Sequence, residues 1–203
     1  MNRMACRHGG RSEHAYHLRF DAGQLCRADG PCFPAGANMN ELEMQHGQHW
    51  KGEDLSGWLA SEKFDGCRVF WDGYRLWSRG GIDITIPHLW RDALPSGQAL
   101  DCELLPRKAA EQFIRRGKWD DRLELKAFDC PTAAGSYPER MATIPTTWLV
   151  QPVKVWKLAS TAEALELMRA IQRQGGEGLM VRHPGLVYRP GRTSQLLKVK
   201  YEP

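Results

Sequence analysis

The residues of this chain best suited to chemistry lie in one short segment, Lys63–Arg68. Lys63 stands at the end of a predicted strand, and Asp65 and Gly66 form the tight turn that follows it. A lysine amine becomes a covalent nucleophile when it loses its proton, and a neighbouring glycine lets the backbone approach a bound ligand closely. The alternative interpretation is an ordinary surface hairpin with charged side chains, because a short motif can match by chance.

Charged residues on the following strands extend this candidate site. Arg79 precedes a glycine turn at 80–81, and an arginine beside such a turn suits an anion. Glu103 lies on a strand of leucines, where a carboxylate is costly unless it is paired or bound to a cation. Asp101, two residues earlier, fits an exposed strand face.

Four more residues complete the set toward the C-terminus. Phe128 ends the next predicted strand, where most phenylalanines simply belong to the core. Glu177 lies at the mouth of a later strand, directly after a glycine pair. Lys198 and Lys200 project from one strand face, because side chains two positions apart point the same way. The alternative for both lysines is a solvated edge strand.

The elements that must position these residues are strands with interspersed helices. Pro106 near the start and Gly117 just past the end predict a helix over 107–116. A capping box of Ser160 and Glu163 begins a second helix, which a glycine pair ends. Strands are predicted over 58–61, 67–71, 74–78, 98–105, 123–127, 148–158, 179–181 and 196–200. This order predicts an α+β fold with helices packed on mostly antiparallel sheets.

The first 36 residues differ from the rest of the chain. We expect residues 1–36 to form a partly flexible N-terminal appendage, ahead of a main domain at 37–203. Within the appendage, the turn at 21–23 separates two strand-like runs and predicts a hairpin. Five arginines there either bind phosphates or belong to a tail: Arg3, Arg7, Arg11, Arg19 and Arg27.

Composition narrows the class of protein. The chain is 42% apolar and 26% charged, a balance typical of globular domains, and its net charge of +4 permits a phosphate-bearing partner. We find no apolar run long enough for a bilayer and no secretory signal, so we expect a cytoplasmic protein without membrane contact and with reduced cysteines. A zinc site is the alternative for one irregular set of residues: Cys6, His8, Cys26, Cys32, His46 and His49.

The ordered motifs together resemble the covalent nucleotidyltransferase superfamily, which comprises ATP-dependent DNA ligases, RNA ligases and mRNA capping enzymes. The resemblance extends over residues 57–201, and the sequence around Lys63 is especially similar to the small bacterial and viral ATP-dependent DNA ligases. It implies a nucleotidyltransferase (adenylation) domain with an ATP cleft between sheets flanked by helices. It further implies a monomer that acts on nicked double-stranded DNA, and we expect no OB-fold within these 203 residues.

The resemblance also implies a mechanism. Lys63 attacks the α-phosphate of ATP and forms lysyl-AMP, with Lys198 and Lys200 as the other catalytic residues. AMP then passes to the 5′-phosphate of a nick, and the 3′-hydroxyl displaces it to seal the strand. The alternatives are an RNA ligase or a guanylyltransferase of the same superfamily, or a DNA-binding derivative that no longer catalyses.

Each site residue receives a role through the same resemblance. Mg²⁺ is expected at Glu103 and Glu177, and DNA contacts at Arg68, Arg79 and Arg182. The ATP-binding set is Glu62, Lys63, Arg68, Glu103, Phe128, Glu177, Lys198 and Lys200. Two positions depart from the family pattern, since Cys102 stands where glycine is usual and Arg182 where lysine is more common.

Overall fold

The computed structural model describes residues 44–200 and, before them, only the backbone of three short strands. These strands are β1 (Arg19–Asp21), β2 (Gln24–Cys26) and β3 (Phe33–Pro34), and they form one antiparallel sheet. Pairing of β1 with β2 confirms the hairpin predicted at 21–23. The other predictions for residues 1–36 lie outside the described residues.

A six-stranded sheet forms one half of the described chain. Its strands are β6 (Cys67–Trp71), β7 (Leu76–Ser78), β8 (Asp83–Ile84), β9 (Leu100–Leu105), β10 (Glu124–Asp129) and β11 (Val150–Pro152). They lie in the order β11-β10-β9-β6-β7-β8, and every neighbouring pair is antiparallel except β10 with β11.

A five-stranded sheet forms the other half. Its strands are β4 (Gln45–His49), β5 (Leu59–Glu62), β12 (Trp156–Lys157), β13 (Leu179–Arg182) and β14 (Gly191–Val199). They lie in the order β12-β5-β13-β14-β4, and only β14 and β4 are parallel to each other.

The described helices are α1 (His88–Ala93), α2 (Arg107–Arg116), α3 (Tyr137–Ala142) and α4 (Thr161–Arg173). The predicted α+β class with mostly antiparallel sheets is confirmed.

Each sheet has its own hydrophobic core. The six-stranded sheet packs with α1 and α2, and Trp90 and Phe113 from these helices are buried against Leu104 and Leu125. On the five-stranded sheet, α4 buries Ala164, Met168 and Ile171, whose spacing of four and three residues forms one helical face.

Local signals in the sequence explain where several elements begin and end. Gly117, at φ 63°, ends α2 in the left-handed conformation that glycine adopts without strain. The Ser160 hydroxyl accepts a hydrogen bond from the backbone N–H of Glu163 at 3.2 Å and starts α4, as the capping box predicted. The turn at 72–73 joins β6 to β7 as a hairpin, with Gly73 at φ 97°.

The predicted strand at 148–158 is wrong as a single element. Its first part is β11 of the six-stranded sheet, and its last part is β12 of the five-stranded sheet. The hydrogen bonds to β10 end one residue after Pro152, where the backbone N–H of Val153 donates to the carbonyl of Ala127 at 2.9 Å, and the chain then crosses to the other sheet.

The other crossing between the sheets lies earlier in the chain and contains the candidate nucleophile. Strand β5 belongs to the five-stranded sheet and β6 to the six-stranded one, so residues 63–66 pass from one sheet to the other. An ordinary surface hairpin, the alternative interpretation of this segment, is therefore wrong.

Candidate active site

The chain brings the side chain of Lys63 against a carboxylate from a distant strand. Its backbone N–H donates to the carbonyl of Gly178 at 2.8 Å, and its amine donates to Oε2 of Glu177. Only glycine fits at position 178, because a Cβ there would lie 2.5 Å from the carbonyl oxygen of Val199. The Lys63 side chain is 21% exposed, so a ligand from solvent can reach it.

The two C-terminal lysines approach the same place from β14. Nζ of Lys200 lies 3.9 Å from Oε1 of Glu177, the second oxygen of the carboxylate that holds Lys63. Burial lowers the pKa of Lys198, and the charges of Lys63 and three further cations, Arg192, Arg79 and Lys200, lower it again. Leu197 and Val199 are buried on the opposite face, as the alternation predicted.

Glu103 closes the turn that follows Lys63. Its Oε1 accepts the backbone N–H of Gly66 at 3.1 Å. Only glycine fits at that position, since a Cβ would lie 2.4 Å from the carbonyl oxygen of Leu104. Burial raises the pKa of Glu103 from 4.5 to about 7, against the opposing effects of Arg68, this hydrogen bond and Lys63.

Arg68 is held in place by a buried acid. Its Nε donates to Oδ1 of Asp101 at 2.9 Å and its Nη2 donates to Oδ2 at 2.6 Å. Asp101 is fully buried, so the prediction of an exposed strand face for this residue is wrong. Asp101 and Glu103 are two residues apart and therefore lie on one face of β9, and this spacing was the sequence signal that could have placed Asp101 in the site. Nη2 of Arg68 also donates to the carbonyl of Gln45 at 2.8 Å, a contact that the sequence did not indicate.

Two guanidinium groups lie near the ring of Phe128. Cζ of Arg68 is 5.3 Å from the ring centroid and Cζ of Arg182 is 5.8 Å from it. Arg182 is only 3% exposed, and its Nη1 donates to the hydroxyl of Ser61 at 2.8 Å. The predicted DNA contact of Arg182 stays a prediction, and this burial disfavours it.

Glu62 and Arg79 differ in their exposure to solvent, since Glu62 is half-buried and Arg79 is exposed. Burial raises the pKa of Glu62, and the charge of Lys126 opposes the rise. Arg79 is exposed and forms no ion pair or hydrogen bond within the described part of the chain. An unpaired guanidinium of this kind is available to an external anion.

The alternative zinc site receives no support from the described residues. Among residues 44–200, no three histidine, cysteine or acidic side chains group together in a way that could hold a metal ion. Four members of the proposed set, Cys6, His8, Cys26 and Cys32, lie where no side chain is described. No described helix is long and apolar enough to cross a membrane.

No family model matches the chain, but individual proteins are similar to it in sequence and in fold. A DNA ligase of Haemophilus influenzae is 29% identical in an alignment of 164 residues that covers 74% of this chain and 60% of that protein. A solved Lig E DNA ligase, from a study of DNA binding with a minimal scaffold, is 25% identical with a TM-score of 0.69, covering 78% of this chain and 68% of its own. The chain has the nucleotidyltransferase fold of the ATP-dependent DNA ligases.

More distant structures share this ligase fold. The Chlorella virus DNA ligase-adenylate is 20% identical, with a TM-score of 0.66 over 78% of this chain and 67% of its own. The ATP-dependent DNA ligase of bacteriophage T7, solved in complex with ATP, is 16% identical with a TM-score of 0.58, over 80% and 69% of the two chains. At such identities the likeness concerns the fold alone. The chain spans 60% of the length of the Haemophilus relative.

Proposed function

We propose that this chain is the catalytic core of an ATP-dependent DNA ligase and that Lys63 forms its covalent bond to AMP. The observation that carries the proposal is the convergence of Lys63, Glu177 and Lys200 at the crossing between the two sheets. The similarity to the Haemophilus DNA ligase supports the choice of activity.

In the first step, Nζ of Lys63 attacks the α-phosphorus of ATP. An N–P bond forms, the bond from that phosphorus to the bridging oxygen breaks, and pyrophosphate leaves. Oε2 of Glu177 contacts the amine and can accept its proton. Lys198 and Lys200 offset the negative charge that develops on the phosphate oxygens.

In the next two steps, an oxygen of the 5′-phosphate at a nick displaces Lys63 and takes the AMP. The 3′-hydroxyl then attacks the 5′-phosphorus, and AMP leaves as the strand is sealed. Arg68 and Arg79 are proposed to bind the nick phosphate, because guanidinium groups donate paired hydrogen bonds to phosphate oxygens. Phe128 is proposed to stack on adenine and Glu62 to contact the base.

The carboxylates of Glu103 and Glu177 suit Mg²⁺ by their chemistry. Mg²⁺ prefers hard oxygen ligands and commonly uses one or two carboxylates together with substrate phosphates and water. The ion would supply charge neutralisation on the triphosphate. Glu177 can bind the ion only through the carboxylate that also contacts Lys63, so the ion and the amine are proposed to compete for this carboxylate.

The remaining features of the proposal concern the whole chain. We propose a monomer in the cytoplasm, with nicked double-stranded DNA as substrate. We also keep the division into residues 1–36 as an appendage and 37–203 as the nucleotidyltransferase domain.

Nick sealing tests the proposed function directly. The chain is incubated with ATP and Mg²⁺ on matched nicked DNA and nicked RNA duplexes, beside the variants Lys63→Ala and Lys157→Ala. Lys157 is an exposed lysine on β12, which pairs with the strand that precedes Lys63. We expect wild type and Lys157→Ala to seal DNA, and Lys63→Ala to seal nothing. Sealing of RNA alone, or an adduct with GTP in place of ATP, would favour the related enzymes.

A further inference from the structure

Tyr188 contacts the buried acid that holds Arg68. The residue lies in the connection between β13 and β14, and its hydroxyl donates to Oδ2 of Asp101 at 2.6 Å. Asp101 is fully buried, and burial raises the pKa of the Tyr188 phenol, so the phenol remains a hydrogen-bond donor at neutral pH. Oδ2 of Asp101 therefore receives two donors, the phenol and Nη2 of Arg68.

The hydrogen bonds of Arg68 leave one edge of its guanidinium for a ligand. Nε donates to Asp101, and Nη2 donates both to Asp101 and to the carbonyl of Gln45. A guanidinium has five N–H groups, so these three contacts use all donors except the two on Nη1. The only described neighbour of Nη1 in hydrogen-bond range is Nδ1 of His46, at 3.5 Å.

Tyr188 also joins the elements that surround this guanidinium. The backbone N–H of Gln45 donates to the phenol oxygen at 3.5 Å, and the Gln45 side chain donates to the carbonyl of Val187 at 3.0 Å. One tyrosine therefore contacts β4 and β9, which belong to different sheets. Such fixation reduces the freedom of Asp101 and, through it, of Arg68.

We propose that Tyr188 is a positioning residue, which fixes Asp101 so that Nη1 of Arg68 points at the phosphate of the nick. The proposal rests on the proposed function, because it assigns the nick phosphate as the ligand of Arg68. It adds a residue from outside the motifs that carry the family resemblance.

The test separates the step that uses the nick from the step that uses ATP. In Tyr188→Phe the ring remains and one hydrogen bond to a charged group is lost, which we expect to slow AMP transfer from preformed lysyl-AMP to a 5′-phosphorylated nick by about tenfold. At saturating ATP we expect the rate of lysyl-AMP formation to stay within about twofold of wild type, since any part of Arg68 in binding ATP is then saturated.

Tyr137→Phe is the matched control. Tyr137 is also buried, but its hydroxyl has no hydrogen-bond partner among the described residues, so removal of that oxygen should leave both steps unchanged. A purely structural role of Tyr188 would lower the folded fraction and slow both steps of Tyr188→Phe equally. Equal slowing, or no change in either step, would overturn the proposal.

A second readout does not depend on activity. The ¹⁵N resonance of Arg68 Nε, assigned by its loss in Arg68→Lys, should shift in Tyr188→Phe and stay in place in Tyr137→Phe. An unchanged resonance in Tyr188→Phe would overturn the coupling of Tyr188 to Arg68. If wild type formed no lysyl-AMP, the proposed function would fail, and the resonance would still decide whether Tyr188 positions Arg68.

Discussion

Single carboxylates in this site each serve more than one donor. Glu177 contacts the amine of Lys63 and lies 3.9 Å from that of Lys200, and Asp101 receives both Arg68 and a phenol. Because the cations outnumber the acids that hold them, the site keeps positive charge for an anionic ligand. A triphosphate or a nick phosphate would neutralise this positive charge.

The raised pKa of Glu103 predicts a stability effect that depends on pH. The folded chain holds this proton more tightly than the unfolded chain, because burial raises the pKa from 4.5 to about 7. The contribution of this group to stability is therefore lost as the pH rises through that window. Glu103→Gln keeps an acceptor for Gly66 but does not titrate, so its free energy of unfolding should gain about 1–3 kcal/mol on wild type between pH 5 and pH 8.

Urea unfolding at several pH values measures this gain. Glu166→Gln, at an exposed position of α4, is the matched control and should run parallel to wild type. Parallel curves for Glu103→Gln as well would contradict the burial of a titrating carboxyl at this position.

The residues proposed to react could be selected from the sequence, whereas the residues that hold them in place could not. Lys63, Glu103 and Glu177 lie in recognisable motifs, because their chemistry fixes both residue type and order. The partnership of Tyr188 with Asp101 joins residues 87 positions apart, and only the sheet topology brings them together. No local sequence pattern predicts such a contact.

A buried ion pair ties the end of β10 to α3. Nε of Arg140 donates to Oδ1 of Asp129 at 2.8 Å, and both side chains are almost fully buried. Nη1 of Arg140 also donates to the carbonyl of Leu186, in the same connection that carries Tyr188. This pair therefore joins the strand that ends beside Phe128 to the connection between β13 and β14.

Removal of Arg140 should destabilise the fold strongly. Arg140→Ala leaves the carboxylate of Asp129 buried without its partner, and we expect a loss of about 3–5 kcal/mol in the free energy of unfolding. Denaturant titration measures the loss. Arg122→Ala breaks an exposed pair with Asp120 and should leave the unfolding midpoint unchanged. Equal midpoints for the two variants would contradict the account of this ion pair.

Elements with strong local signals could be predicted, and those that depend on packing could not. Helices α2 and α4 have clear caps, and their predicted positions match the structure. Helices α1 and α3 are six residues each, too short to show a helical period. The capping box of Ser136 and Glu139 is a local signal for α3 that was missed. The division of residues 148–158 between two sheets is decided by the neighbouring strand with which each part pairs, β10 for the first part and β5 for the last.

At the scale of the molecule, the described residues include cations that have no ion-pair partner among them, and we propose that these cations bind the phosphates of DNA. Arg79, Arg192 and Lys198 form no ion pair within residues 44–200, and the charges of both arginines act on Lys198. Binding of nicked DNA should therefore weaken steeply with salt, because each phosphate contact releases counterions.

The salt dependence gives a test for Arg79. In Arg79→Ala the slope of log affinity against log salt concentration should fall by about one relative to wild type. Fluorescence anisotropy with a labelled nicked duplex at several salt concentrations measures the slope. Arg116→Ala, which removes an exposed charge from the last turn of α2, should leave the slope unchanged. The same slope for Arg79→Ala and wild type would exclude a phosphate contact at Arg79.

The most direct test of the central claim is the location of the covalent adduct. The chain is incubated with ATP and Mg²⁺, and its peptides are mapped by mass spectrometry under conditions that preserve phosphoramidates. The account predicts one adenylyl group on the amine of Lys63, removed by added pyrophosphate with return of ATP. An adenylyl group on another residue, or none on the folded chain, would contradict it.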